Sequence, residues 1–366
     1  MNNNHSLVRK KGFCLGWFST YRAQLFGIAT VMVVLFHSYI SIANLLPNTP
    51  VLAQILSTAR SHCNKGVEMF LFMSGIGLYY SLSGNPSLKN YYRNRAVRIL
   101  PAVMTVSLIW FAMNNPDGVA SYLKNAFFIS FFTDGTRIFW YFILIIILYA
   151  VYPLIYKLYD KTGAMGYITS IIVVIALNMM FMELDPIHYG NIEIAITRIP
   201  VFLTGAWLGK HVKNGTTISY LWVLLAAVLT VAIFIFYYKM PLPEANYLYV
   251  YRYVGGFYGL SLLFLWTALM SKTTLGFVGT FFVWIGAYSM EIYLVHEKVS
   301  ALMSSKFHTN DPSMVVYYTA IFFIALMYAM ALKAFCSSLE KNLFLKNAKK
   351  PQPAERTLQE KETVNK

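Results

Sequence analysis

The residues best suited to chemistry lie where a membrane helix least tolerates them. His37 ends the apolar run Leu25-Phe26-Gly27-Ile28-Ala29-Thr30-Val31-Met32-Val33-Val34-Leu35-Phe36, which begins just after Arg22. If Arg22 stands at the membrane surface, a helical rise of about 1.5 Å per residue carries His37 roughly 22 Å into a hydrocarbon core about 30 Å thick. A helix that only had to span would hold an apolar residue there, so an ionisable one points to function. Neutral imidazole takes up a proton near neutral pH, which makes His37 a candidate general base.

A second group joins two later apolar segments. Gly66-Val67-Glu68-Met69-Phe70-Leu71-Phe72-Met73-Ser74-Gly75 carries an acid in a greasy stretch, and Tyr91-Tyr92-Arg93-Asn94-Arg95-Ala96-Val97-Arg98-Ile99-Leu100-Pro101 follows it. Arg95 and Arg98 are three apart and leave a helix on one side. Two guanidinium forks at that spacing suit a phosphate-rich ligand, although arginines at an inner membrane edge also satisfy the positive-inside rule and touch lipid headgroups. A charged Glu68 in such surroundings needs a partner, for which His37 is a candidate. The third group is Ser289-Met290-Glu291-Ile292-Tyr293-Leu294-Val295-His296. Ser289, Tyr293 and His296 share a helix face, whereas Glu291 is rotated about 140° from His296, so the two have different partners. A histidine at the end of a span can equally be an interfacial residue.

Composition places these groups in a bilayer. Hydrophobic residues make up 57% of the 366-residue chain and charged ones 12%, with a mean hydropathy of +0.53. That leaves too little polar surface for a water-soluble globule. The formal charge of +15 is spread in short clusters between apolar segments, which argues for membrane topology and against nucleic-acid binding. Cys14, Cys63 and Cys336 lack CxxC pairing and histidines at metal spacing, so no metal site is expected.

Apolar segments fall near 23–43, 65–83, 99–114, 138–156, 164–182, 192–209, 217–238, 248–270, 280–299 and 314–335, which predicts an all-α polytopic membrane protein with about ten transmembrane helices. Arg9, Lys10, Lys11 and Arg22, then Lys89, Arg93, Arg95 and Arg98, then Lys157 and Lys161, then Lys210 and Lys213, then Lys272 alternate with connections holding Asp117, Asp134, Glu183, Asp185, Glu244 and Asp311. This asymmetry puts both termini in the cytoplasm. The expected organisation is an interfacial segment over 1–19, a membrane domain over 20–338 and a disordered charged tail over 339–366. No small-residue cleavage site follows the first apolar run, so helix one is read as retained.

Taken in order, these stretches resemble acyltransferase family 3, integral membrane proteins that O-acylate bacterial glycans. Val33-Val34-Leu35-Phe36-His37, Gly66 to Gly75 and Arg95 to Pro101 match its opening. Trp140-Tyr141, Tyr149 to Pro153 and Arg198-Ile199-Pro200-Val201-Phe202 through Gly205 resemble its middle, and Ser289 to His296 its end. The resemblance covers about residues 20–335. It implies an enzyme of the cell membrane that moves an acyl group, expected to be acetyl, from acyl-CoA to a hydroxyl of a cell-surface carbohydrate, with acyl-CoA as cosubstrate and no bound cofactor. His37 and Glu68 would be catalytic; Arg95, Arg98 and Arg22 would bind the donor; Ser74, Arg198, Glu291, Tyr293 and His296 would complete the site. An acyl-histidine intermediate is an alternative to direct transfer. The expected partners are the donor, a glycan or lipid-linked glycan, and membrane lipids. One position departs from the family pattern: Phe26 stands where an arginine is usual, with Arg22 one turn earlier. The rival reading from the residues alone is a transporter or flippase for a lipid-linked glycan or small anion, to which intramembrane His and Glu are equally suited. A structural scaffold would leave His37 and Glu68 unexplained.

Overall fold

The computed structural model describes residues 12–38, 41–84, 87–114, 117–239, 248–304 and 314–341. Arg9, Lys10, Lys11, Glu244, Asp311 and the tail from residue 342 lie outside the described residues. The chain runs β1 (Phe13–Cys14), α1 (Trp17–Thr20), α2 (Arg22–Phe36), α3 (Ile42–Leu45), α4 (Pro50–Ser61), α5 (Gly66–Leu82), α6 (Leu88–Asn114), α7 (Gly118–Ala126) and α8 (Ile129–Thr133). It continues with α9 (Trp140–Thr162), α10 (Ala164–Leu184), α11 (Pro186–Ile196), α12 (Ile199–Lys213), β2 (Thr217–Ile218), α13 (Leu221–Lys239), α14 (Leu248–Lys272), α15 (Gly276–Ala287), α16 (Ser289–Ser304) and α17 (Met314–Glu340). Among the described residues β1 and β2 make one short antiparallel ladder, Phe13 opposite Ile218. Phe13, Leu15 and Phe18, expected in an interfacial segment, are buried in the core.

Among the described residues seven helices are long and apolar enough to cross a membrane, or eight if α15 and α16, bent by 77° at their junction, form one span. The chain is therefore an all-α multi-pass membrane protein with fewer full-length spans than the ten expected. The first two expected spans account for the difference: α2 has 15 residues and α5 has 17, about 22 and 25 Å of helix against a core of about 30 Å. The run Val67–Ile76 of α5 is buried throughout, so protein rather than lipid meets most of this helix and its length need not match the bilayer. Around it, α10 and α13 turn Ile168, Ile172, Leu177, Leu224, Val228 and Val231 outward, the pattern of lipid-facing helices.

Three local features position the site. First, α2 stops at Phe36 instead of running through the expected segment 23–43, so His37 caps a helix end and is not embedded in mid-helix. The Val33 carbonyl accepts from the His37 backbone N–H at 3.2 Å and from its Nδ1 at 2.9 Å, while Ser38 Oγ donates to Leu35 O at 2.7 Å. Side chains thus satisfy carbonyls that another turn would have used. Second, α2 crosses α15 with almost no space between backbones. A Cβ on Gly27 would stand 2.0 Å from Phe282 O, and one on Gly286 would stand 2.1 Å from Ala23 O, a separation only glycine permits. Third, the expected sixth span lies within one span over Pro186–Lys213, in which α11 gives way to α12 at Thr197 and Arg198, with Pro200 in the first turn of α12. The Arg198 side chain is buried at this junction.

Candidate active site

Two cavities open within the bundle on opposite sides of Tyr293, which lines both. The lower one, on the side of Arg22, is about 580 Å³ and is walled by Arg22, Arg95, Arg98, Ser74 and Ser289 as well as Tyr293. The upper one, on the side of His37, is about 610 Å³ and is walled by His37, Glu297, Arg137, Arg198, Arg252 and Tyr293. The Tyr293 ring packs against Tyr141 at 4.9 Å, Phe142 at 5.5 Å and Phe70 at 6.0 Å between ring centroids. These three rings line the lower cavity and pack around Tyr293, the side chain the two cavities share.

In the lower cavity Arg22 donates from Nη1 to Met73 O at 3.1 Å, and its guanidinium lies 4.8 Å from the Phe26 ring centroid. Arg22 thus folds over the phenyl ring at the family's arginine position and reaches the same chamber. Arg95 donates to Ser81 Oγ and Arg98 Nη1 stands 3.6 Å from Glu291 Oε1. Glu291 and His296 do have separate partners.

The upper cavity ends in a chain of three titratable groups. His296 Nδ1 lies 2.8 Å from Tyr293 O and 3.1 Å from Ile292 O; only a protonated Nδ1 satisfies two carbonyls, which leaves His296 Nε2 an acceptor. That nitrogen is 3.1 Å from His37 Nδ1, which also faces Val33 O at 2.9 Å and therefore carries a proton as well. His37 Nε2 is then the working nitrogen. It stands 2.8 Å from Glu297 Oε1, with the two side chains 22% and 34% exposed, and a contact this short between two acceptors requires one proton between them. Lys298 Nζ, 3.8 Å from Glu297 Oε2, adds positive charge behind the carboxylate.

Glu68 was the expected partner of His37 and is not. Its Oε1 accepts from Arg198 Nε at 3.0 Å, both side chains being almost completely buried. The packing instead brings Arg198, at the junction of α11 and α12 and 4.8 Å from the Trp140 ring centroid, to the acid in α5. Sequence reading missed Glu297, Arg137 and Arg252, and also Glu193, which accepts from Arg252 at 3.1 Å through both oxygens and lies 3.3 Å from Arg137 Nη1. A signal existed: Glu193, Arg252 and Glu297 are charged residues inside apolar spans, and Glu297 directly follows His296. The sequence has no metal-ligand spacing, but the fold brings ligand atoms of His37, His296 and Glu297 within 4.8 Å of one another.

The fold and site define a multi-pass membrane protein with two polar cavities inside its bundle, one lined by arginines and the other by a histidine–carboxylate pair. Residues 27–334 match acyltransferase family 3, described as an acyltransferase domain, and the chain belongs to that family. It is a membrane acyltransferase, multi-pass in the cell membrane. No curated protein and no solved structure matches it.

Proposed function

We propose that this enzyme transfers an acyl group, acetyl in the simplest case, from acyl-CoA in the lower cavity to a hydroxyl of a cell-surface glycan in the upper one. The observation that carries this reading is the shared wall: Tyr293 lines both chambers, so a thioester rising from below and a hydroxyl descending from above meet at one place. Arg22, Arg95 and Arg98 are placed to grip the phosphates of the donor, aided by the N-terminal end of α16, whose Ser289 and Met290 also line the chamber. The acceptor hydroxyl takes the place of Glu297 at His37 Nε2, the proton the pair had shared passing to solvent, and gives its own proton to that nitrogen as its oxygen attacks the thioester carbonyl. Glu297 then pairs with the imidazolium. The thiolate leaves downward and recovers the proton as CoA thiol. Arg198, held by Glu68, is a positioning residue at the wall of the upper chamber. The deciding experiment supplies radiolabelled acetyl-CoA to the inner face of sealed membranes. Label is expected on surface glycan only where this protein is present; export of unmodified glycan without label transfer would make the protein a carrier.

The trio of His37, His296 and Glu297 acts here through protons, since its ring nitrogens and one carboxylate oxygen are already engaged with one another or with carbonyls. Acyl transfer should therefore be unchanged after exhaustive treatment with a chelator. Loss of activity that zinc restores would make the trio a metal centre.

The proposed path also needs the lower cavity to face the cytoplasm. Both termini would then be cytoplasmic, as the distribution of Lys and Arg implies. A reporter after Lys213 and one at the C-terminus should read as internal and one near Asp185 as external. Cysteines substituted beside Lys89 and Lys213 should stay unlabelled by an impermeant reagent in intact cells, and labelling there would invert the path.

A further inference from the structure

We infer that the acceptor carries an anionic group, a phosphate or a carboxylate, which the upper cavity holds on Arg137 and Arg252. This deepens the reading of the upper chamber as the acceptor site and rests on it.

The argument is one of charge in an enclosed space. Three arginines line the upper chamber, and a guanidinium stays protonated in any protein setting. Two carboxylates serve them: Glu68 binds Arg198, and Glu193 is shared by Arg137 and Arg252. Glu297, the only carboxylate lining the chamber among the described residues, shares a proton with His37 and is not available to the arginines. One guanidinium charge is left over. Two buried lysines add to the imbalance. Lys298 donates to Ile138 O at 3.1 Å and stands 3.8 Å from Glu297 Oε2, and Lys65, completely buried, has no hydrogen-bond partner for Nζ and lies close enough to Glu68, Arg198 and Arg252 to feel all three charges, so both bring positive charge to acids already counted.

The arginines are not equally placed. Arg198 is almost completely buried and its Nε is spent on Glu68. Arg252 makes two parallel bonds to Glu193. Arg137 holds Glu193 at 3.3 Å through Nη1 alone and donates from Nη2 to Gly190 O, with its side chain 41% exposed, so an incoming anion can take over the Nη1 contact while Arg252 keeps Glu193. A neutral sugar would leave the surplus charge in the chamber uncompensated. An anionic one neutralises it through bidentate contacts, and its negative charge steers the acceptor to the hydroxyl-activating end of the chamber.

The test is equilibrium binding to the purified full-length protein in detergent, with the lower cavity saturated by CoA so that its arginines are occupied. The probes are inorganic phosphate, methyl glucuronide and methyl glucoside. The two sugars differ by one carboxylate, and the phosphate arm separates a phosphate site from a carboxylate site. Methyl glucuronide or phosphate should bind about 10- to 150-fold more tightly than the neutral glucoside, the range for one charge-assisted contact. Arg137→Gln should erase that preference, Arg252→Gln should do the same, and Arg252→Lys should retain part of it. Arg137 is half exposed, so its substitution leaves no buried void; unchanged CoA binding in each variant certifies its fold. Equal binding of glucoside and glucuronide without phosphate binding, or absence of binding by both anions, overturns the inference. So does an anion preference that survives Arg137→Gln and Arg252→Gln. If CoA itself fails to bind while the anions bind and lose affinity on Arg137→Gln, the acyl-CoA reading falls and the anion site stands.

Discussion

Replacing His37 by alanine is expected to cut acyl transfer by about 100- to 10,000-fold while leaving CoA affinity unchanged, because a general base contributes that much to a proton-coupled step. Glu297→Gln should fall in the same range. It preserves the shape of the side chain and removes the charge that holds the imidazolium. The two groups share one proton at 2.8 Å, so their contributions cannot be independent. The double variant should be little worse than either single one. Glu68→Gln is the informative contrast, since Glu68 bonds to Arg198 and not to His37. Its expected effect is on stability, through an arginine left buried without its counter-ion. Single-turnover assays with labelled donor, read beside CoA binding, separate these outcomes. Transfer by His37→Ala within about tenfold of wild type would remove it as the base.

Arg95→Ala is expected to weaken donor affinity about 10- to 150-fold, from the loss of one charge-assisted contact, with the rate of the bound complex little altered. The side chain reaches the lower cavity, and among the described residues its recorded neighbours are the Ser81 hydroxyl and the Tyr149 ring, so no acid is stranded when it goes. Arg98→Ala should show a similar loss of affinity together with a lower melting temperature, because it uncovers Glu291, which is buried and already has one oxygen without a hydrogen bond. Arg98→Lys separates the two effects by keeping the charge and losing the fork. Titration of each variant with CoA is the measurement. Unchanged CoA affinity in Arg95→Ala and Arg98→Lys, with acceptor affinity reduced instead, would move the donor to the other chamber.

The lower cavity was largely legible in the residues. Arg95 and Arg98 sit three apart on one helix and reach one chamber because a helix keeps near neighbours together. Arg22 joins them by lying over Phe26, an arrangement that its spacing of four residues allows. The upper cavity was not legible. His37 stood out as an ionisable residue after an apolar run, but its partners come from α16, with His296 259 residues away in sequence, and no local pattern couples them.

What the sequence determined by itself is whatever depends on local composition and periodicity: an all-helical membrane protein, the positions of its apolar segments, and which ionisable residues are too costly to be idle. Hydropathy and helical phase are properties of neighbours along the chain, so they survive without knowledge of the fold. The tertiary structure alone decided which charges meet. Pairing depends on where helices cross and bend: the backbone contact at Gly27 and Gly286, the 77° turn between α15 and α16, and the junction of α11 and α12 at which Arg198 is buried. A buried charge takes the counter-charge that the packing brings within hydrogen-bonding distance. That rule gives Glu68 to Arg198 and Glu297 to His37.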